Sequence, residues 1–369
     1  MIVSTICFSP QQQHELYEFA YADAERRRPE HGSIWAALAS VRKEFPIDPL
    51  QFVTEYRTFV SRLPALSPAE QAELIVELAA LLIAFVPNHY PTATTIAELY
   101  ETLTQWVQRL PASHRGAPIG ALAESIWLLS EEQKSLYYAN LRHWTLSLPD
   151  HQLGEALRYL SSTVANLPSA QQAHELWRLE PIIERVLPEQ RALVAIGLIK
   201  STLGLDEEGL VKQVGQRALS LLDSSNEAIQ RMPSEQRASV VYKLILSTIR
   251  LDEVDKALSK QVWQRALRAL DNCDAAHVST IFDELAYWAS ISLFSDQQWK
   301  EAKTEIRAFV ERNRNRYSGF NHLLQYLGQH ESSVNLPINT ADDVGSWTDA
   351  EAAADWNLDD LRTPRYGEQ

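Results

Sequence analysis

The sequence has few cysteines and glycines and no long hydrophobic run. Among its 369 residues are 2 cysteines and 12 glycines. Cys7 and Cys273 lie too far apart in sequence to suggest a disulfide framework, and two thiols alone cannot hold a zinc ion. The longest apolar run, 78–86, is about half as long as the ~18 residues that a membrane span requires. We therefore expect no disulfide-stapled domain, no transmembrane helix and no membrane partner.

The first eight residues contain no basic start and only a short apolar run. We therefore expect no Sec signal peptide, and a protein that acts in the cytoplasm or leaves the cell by a route that does not use Sec.

Positive charge is scarce, with 34 Lys and Arg against 48 Asp and Glu and a net charge of −14. A protein that binds duplex nucleic acid normally presents a broad cationic face to the phosphates. The charge balance opposes a nucleic-acid partner and leaves only a local basic patch open.

Motifs for phosphate binding, zinc proteolysis and serine hydrolysis are missing from the sequence. His14-Glu15 and His174-Glu175 start like the zinc-protease helix, but the second histidine does not follow. Four glycines in or between helices are expected to be close-packing points and turns, and these are Gly197, Gly204, Gly209 and Gly215. No metal, cofactor or catalytic residue is predicted.

Two small clusters of residues leave a catalytic or a further binding function possible. Cys273, with His277 one turn further along, could pair as nucleophile and base, but a buried structural cysteine is the favoured interpretation. A basic and aromatic cluster could touch nucleic acid or an acidic protein, although a solvated helix end explains it better, and its members are Arg312, Arg314, Arg316, Tyr317 and Phe320.

The strongest positive signal is an internal repeat over 187–270. Gln190-Arg191-Ala192 returns as Gln236-Arg237-Ala238, and Gln216-Arg217-Ala218-Leu219 returns as Gln264-Arg265-Ala266-Leu267. A repeat of this length in helical periodicity predicts stacked helix pairs.

Apolar-proline junctions mark the helix ends along the chain, because proline cannot continue the preceding helix. They occur at Pro64, Pro87, Pro111, Pro149, Pro168, Pro188 and Pro233. Serines followed three residues later by Glu or Gln predict helix starts, and these capping boxes begin at Ser67, Ser130, Ser169 and Ser295. Pro181 interrupts another helical pattern, so we expect a kink or break near residues 179–180.

Together these signals predict an all-α protein, a right-handed α-solenoid of about fourteen to sixteen helices in stacked antiparallel pairs. The expected organisation is an N-terminal helical cap over 1–62, HEAT-like repeats over 63–328, and an acidic, mostly disordered tail over 329–369. Six tryptophans fall within predicted helices and should lie mostly in the core, and these are Trp106, Trp127, Trp144, Trp177, Trp263 and Trp288.

The unit Leu-Pro-x-x-x-Arg, seen in Leu110-Pro111-Ala-Ser-His-Arg115, resembles a HEAT or armadillo repeat. This motif is also similar to the leucine-proline helical repeats of large bacterial type III secreted effectors of the SKWP kind. The resemblance implies a bacterial protein that is injected into a host, where the solenoid binds a host protein. It transfers no catalytic residue to this chain.

The favoured function is non-catalytic protein binding, as a scaffold or adaptor, through a groove formed by the second helix of each pair. The candidate binding residues are polar positions that recur beside the apolar stripe, together with a tryptophan that replaces Gly215 in the second copy: Gln213, Arg217, Gln261, Arg265 and Trp263. Trp347 and Trp356 are candidates for docking the tail onto the solenoid or a partner.

Two rival functions remain. The first is nucleic-acid binding by a HEAT-like protein, such as an enzyme that acts on DNA-base lesions, and it requires a continuous Lys/Arg stripe. The second is a helical enzyme without a recognisable motif, and it requires a deep pocket with perturbed ionisable groups.

Overall fold

A computed structural model describes residues 49–85, 92–249, 251, 254–290 and 296–313. Within these ranges the chain forms thirteen α-helices and seven short 3-10 helices and contains no strand, which confirms the all-helical prediction. The described residues divide into two compact units at the Leu148–Pro149 bond. The predicted helices before residue 49 and the acidic tail with Trp347 and Trp356 lie outside the described residues.

Five α-helices form the first unit. They are α1 (Pro49–Arg62), α2 (Pro68–Phe85), α3 (Ala93–Arg109), α4 (Gly116–Ser125) and α5 (Glu131–Thr145), with 3-10 helices at Leu63–Ala65, Ala112–His114 and Ile126–Leu128. Helix α4 packs against α2, α3 and α5. The buried Tyr100 of α3 donates a hydrogen bond to the carbonyl of Leu122 at 2.9 Å, and its ring meets the edge of Tyr137 of α5 at 5.0 Å. This tyrosine therefore joins three helices.

Eight α-helices form the second unit. They are α6 (Leu153–Thr163), α7 (Ser169–Ile183), α8 (Arg191–Ser201), α9 (Glu208–Arg231), α10 (Ser234–Ser247), α11 (Lys256–Ala269), α12 (Ala275–Ser290) and α13 (Asp296–Arg312). The 3-10 helices are Asp150–Gln152, Val164–Asn166, Pro188–Gln190 and Thr202–Gly204.

The helices of this second unit pack in two rows. In the first row α6 contacts α8, α8 contacts α10 and α10 contacts α12, while in the second row α9 contacts α11 and α11 contacts α13. Within each pair, α6 packs on α7, α8 on α9 and α10 on α11. Several hydrogen bonds between successive layers join residues 37 to 42 positions apart, which is about one helix pair. These spans are shorter than the offsets of 46 and 48 residues between the two copies of the sequence repeat, so the contacts follow successive helix pairs without keeping the period of the sequence.

Helices in the second row run parallel to one another. Ser169, at the start of α7, donates a hydrogen bond to Asp206, just before α9. Further along both segments, Arg217 of α9 contacts Glu180 of α7 at 2.9 Å. Because the residue numbers rise together on both sides, α7 and α9 point the same way.

At five helix boundaries in the described residues, a side chain caps the preceding helix. Arg or Gln donates to the carbonyl oxygen of the residue five positions earlier, where a helix end leaves carbonyls without intrahelical partners. The pairs are Gln71 with Leu66, Arg115 with Leu110, Gln172 with Leu167, Arg191 with Val186, and Arg237 with Met232. The arginine of the Leu-Pro-x-x-x-Arg unit therefore has a structural role, and Gln can replace it.

Three of the four singled-out glycines are close-packing points, as predicted. A Cβ on Gly197 would lie 2.0 Å from the carbonyl oxygen of Arg158, so α8 approaches the backbone of α6 very closely there. A Cβ on Gly204 would meet the Cβ of Ala165 at 2.9 Å, and one on Gly215 would meet Leu258 at 2.6 Å. Gly209 has no such neighbour within 4 Å.

The predicted capping box at Ser169 is wrong, and so is the predicted break in α7, while a kink in α7 stays a prediction. Ser67 and Ser130 form their capping boxes, but Ser169 does not cap its helix, because Gln172 turns back to the carbonyl of Leu167 and Ser169 bonds Asp206. Helix α7 is also not broken at residues 179–180. It continues through Pro181 and ends at Ile183, so the proline sits within the last turn. The Ser295 box lies outside the described residues.

Candidate protein-binding surfaces

The two predicted binding arginines form bridges between neighbouring second-row helices. The Nε of Arg217 donates to Glu180 at 3.1 Å, and its other nitrogen contacts Glu184. Arg265 of α11 reaches Asp223 of α9 through two nitrogens, at 2.7 and 3.0 Å. Both arginines are about one-quarter exposed, at 28% and 26% of their side chains. They therefore hold successive layers together while presenting part of the guanidinium to solvent.

The Arg265 bridge changes the ionisation of its partner. The hydrogen bond from Arg265 lowers the pKa of Asp223, partial burial opposes the shift, and the charges of Arg265 and Arg268 add to the lowering. The carboxylate is thus held in its charged form to lower pH than an ordinary aspartate.

Trp263 occupies a different environment from the other predicted residues, since it is only 2% exposed. It corresponds to Gly215 in the first copy, and Gly215 faces Leu258 of the next second-row helix. By this correspondence Trp263 faces the side of α11 that packs on α13. Gln213 and Gln261 are exposed. A binding role for these five residues stays a prediction, and direct contact by Trp263 would require the helices around it to separate.

The expectation that most helical tryptophans lie in the core is wrong for the described side chains. Trp106, Trp127 and Trp144 are half-buried, and Trp177 is 57% exposed. Helix α7 buries a stripe that includes Leu176, Leu179 and Ile183, and position 177 lies to one side of that stripe.

Gln213 and Trp177 each lie about one helical turn from the bridge between Arg217 and Glu180. Helices α7 and α9 are parallel and are joined at Glu180 and Arg217. One turn toward the N-terminus from this bridge lie Trp177 on α7 and Gln213 on α9, because residues three and four apart share a helix face. We call this surface the Trp177 face and define it by Trp177, Gln213 and the bridge of Arg217 with Glu180 and Glu184.

A shallow depression in the first unit was not foreseen from sequence. It has a volume of 490 Å³ and is lined by Gln108, Arg115, His143, Trp144, Leu146 and Ser147. Leu146 is 48% exposed and Trp144 half-buried, so its floor mixes apolar surface with a guanidinium and an imidazole. We call it the Trp144 depression.

The arginine in that depression is held in place by the helix cap. Arg115 donates from Nε to the carbonyl of Leu110 at 2.6 Å and from a terminal nitrogen to the carbonyl of Gln108 at 2.9 Å. Arg109 lies close by in sequence and stacks over the ring of Trp106, with 4.9 Å between the guanidinium carbon and the ring centroid.

The Cys273 region matches its structural interpretation. Its thiol is 4% exposed and its Sγ lies 4.0 Å from the carbonyl oxygen of Ser234, to which it donates. Burial raises the pKa of Cys273, which disfavours the thiolate that a nucleophile requires. Arg312 stacks on Phe309 at 6.0 Å, while Arg314, Arg316, Tyr317 and Phe320 lie outside the described residues.

In the described part of the chain, no group of three or more His, Cys, Asp or Glu side chains could hold a metal ion. No helix there is both long and apolar enough to cross a membrane. No protein-family model matches the chain, and no curated protein matches it in sequence.

Proposed function

We propose that this chain is a non-catalytic protein-binding scaffold or adaptor, built as an α-solenoid whose second-row helices bind another protein. The observation that carries the proposal is the exposed Trp177, which stands on a second-row helix beside the Arg217 bridge. Two rows of helices with one-repeat contacts support an extended array, which is the arrangement that helical-repeat proteins use to present a long binding surface.

Trp177 has the properties of an interface anchor. Covering its exposed surface, on the order of 100 Å², would contribute roughly 2–3 kcal/mol at ~25 cal/mol per Å². Tryptophan and arginine are enriched among the residues that dominate interface energies. The Trp177 face combines both residue types, and the bridge to Glu180 and Glu184 orients Arg217 before any partner binds.

The partner in this proposal is a protein rather than a nucleic acid. Cations along the described second row are paired with carboxylates, as Arg217 with Glu180, Arg265 with Asp223 and Lys256 with Glu301. Such alternation suits a mixed-charge protein surface better than a phosphate backbone, which needs net positive charge. A bacterial effector that acts on a host protein fits this proposal, and so does a cytoplasmic adaptor.

The test is affinity capture with the full chain, followed by quantitative binding to each captured protein. Replacing Trp177 by Ala should weaken binding about 30-fold, equivalent to about 2 kcal/mol for a central anchor. Leu203→Ala is the matched control, because Leu203 is also exposed, at 41%, but lies in a 3-10 turn. It should leave the affinity unchanged.

A second arm uses a photo-crosslinking residue at position 213, which should capture the same partner. Equal affinity of the Trp177→Ala and Leu203→Ala chains for every captured protein contradicts the assignment of the Trp177 face. Failure to capture any protein contradicts the binding function itself.

A further inference from the structure

The stretches of sequence that line the Trp144 depression are rich in positive charge, in a chain of net charge −14. Its lining residues come from two stretches, 102–123 and 133–148, and neither stretch contains an Asp or a Glu. They contain four cationic side chains, which are Arg109, Arg115, Lys134 and Arg142. Lys134 is balanced by Glu131 at the far end of α5. The depression therefore joins apolar surface to a local positive charge.

The C-terminal region of the same chain has the complementary composition. Residues 341–361 carry seven acidic side chains and no Lys or Arg, and the acidic residues are Asp342, Asp343, Asp349, Glu351, Asp355, Asp359 and Asp360. The same stretch contains Trp347 and Trp356. An indole can stack on Trp144 and cover Leu146, while neighbouring carboxylates meet Arg115 and its cationic neighbours.

We propose that segment 341–361 binds the Trp144 depression of its own chain and covers it until another acidic, aromatic segment displaces it. The 34 residues from Asn313 to Trp347 provide a tether that can span up to ~110 Å when extended. Covalent linkage favours the chain's own segment over a second copy, because a tether raises the effective concentration of the segment at the depression. The proposal does not depend on the Trp177 face.

The experiment measures binding of a fluorescein-labelled synthetic peptide, residues 341–361, to the full-length chain. The acceptor is a full-length variant with Trp347→Ala and Trp356→Ala, in which the tethered segment no longer competes. The peptide should bind this variant at least fivefold more tightly than the unaltered chain. Raising the salt from 50 to 300 mM should weaken the interaction severalfold, because exposed charges are screened.

Two exposed leucines provide a matched pair. Leu146, directly after the end of α5, lines the depression and is 48% exposed, whereas Leu136 lies within α5 outside the depression and is 59% exposed. Added to the double-tryptophan variant, Leu146→Ser should weaken peptide binding at least fivefold, and Leu136→Ser should leave it unchanged. Both substitutions lie on the surface, so the helical circular dichroism should be retained.

Three outcomes overturn the proposal. The first is no peptide binding to the double-tryptophan variant, and the second is equal binding to the Leu146→Ser and Leu136→Ser chains. The third is competition in the unaltered chain that disappears on dilution together with a dimer seen by light scattering, because the segment would then bind a second copy. None of these results affects capture of a partner through Trp177, so the two proposals fail separately.

Discussion

The two copies of the internal repeat share their sequence but not their packing. The first copy contains α8 and α9, and the second contains α10 and α11. Helix α9 has 24 residues, whereas α11 has 14. Helix α11, the second helix of the second copy, ends early because Asn272 adopts a left-handed conformation, with φ 71°, that terminates a helix. The corresponding residue of the first copy, Ser224, lies inside α9.

The copies also differ where each one meets the next layer. Gly197 lets α8 approach the backbone of α6, while the corresponding residue of the second copy is the buried Lys243. Gly215 lets Leu258 of α11 approach α9, while its counterpart is the buried Trp263. The residues that are identical in the two copies include Arg191 and Arg237, which cap the preceding helices. Shared residues thus build each helix pair, and the mismatched ones set the contact between layers.

Among the substitutions that test this comparison, Trp263→Ala should have the largest effect on the free energy of unfolding. Removing a buried tryptophan is expected to lower the free energy of unfolding by about 3–5 kcal/mol, since it leaves a cavity between layers. Trp177→Ala is the matched control and should change stability by no more than ~0.5 kcal/mol, because Trp177 is exposed. Urea unfolding followed by circular dichroism measures both. Equal losses for the two variants would show that Trp263 is not a packing residue.

Gly197→Ala should come next, with a loss of about 3 kcal/mol, because the added Cβ would press on a backbone carbonyl that cannot move aside. Gly209→Ala makes the same change in α9 where no atom lies nearby, and it should raise stability by about 0.5–1 kcal/mol through helix propensity. The sign of the change in unfolding free energy should therefore differ between the two glycines. A neutral Gly197→Ala chain would mean that the first-row helices separate readily.

The smallest effect concerns pH and the Arg265 bridge. A lowered pKa at Asp223 adds stability that is present above the unfolded pKa and lost as the pH falls through the folded pKa. Asp223 is 61% exposed, so Arg265→Ala should cost only ~0.5 kcal/mol at pH 7. The difference from the unaltered chain should shrink as the pH falls below the ordinary aspartate pKa of about 3.9. Gln261→Ala, an exposed neutral change on the same helix, should show no such pH dependence in urea unfolding.

Much of the local structure could be predicted because its causes lie within a few residues. The junctions at Pro111, Pro188 and Pro233 end helices through the proline itself, and the Ser67 and Ser130 boxes need only a side chain three positions away. The exceptions show the limit of such signals. Ser169 resembles a capping residue, but its hydroxyl donates a hydrogen bond to Asp206, just before the next second-row helix. Gln172 caps the preceding helix through the carbonyl of Leu167.

The candidate sites were predictable only in part. Recurring polar positions identified Arg217 and Arg265, but their acidic partners lie 37 and 42 residues away, so their role as bridges was not visible. The Trp144 depression gathers residues from the end of α3, the start of α4 and the end of α5. No single window of sequence contains that combination.

The sequence by itself determined the helical class, most of the helix ends and the existence of the repeat, because these depend on periodicity, proline chemistry and nearby side chains. The tertiary structure decided which similar residues are hidden and which are displayed. Trp177 and Trp263 both stand on second-row helices, yet one is 57% exposed and the other 2%. Burial depends on the neighbouring layer, and that layer comes from residues tens of positions away in the chain.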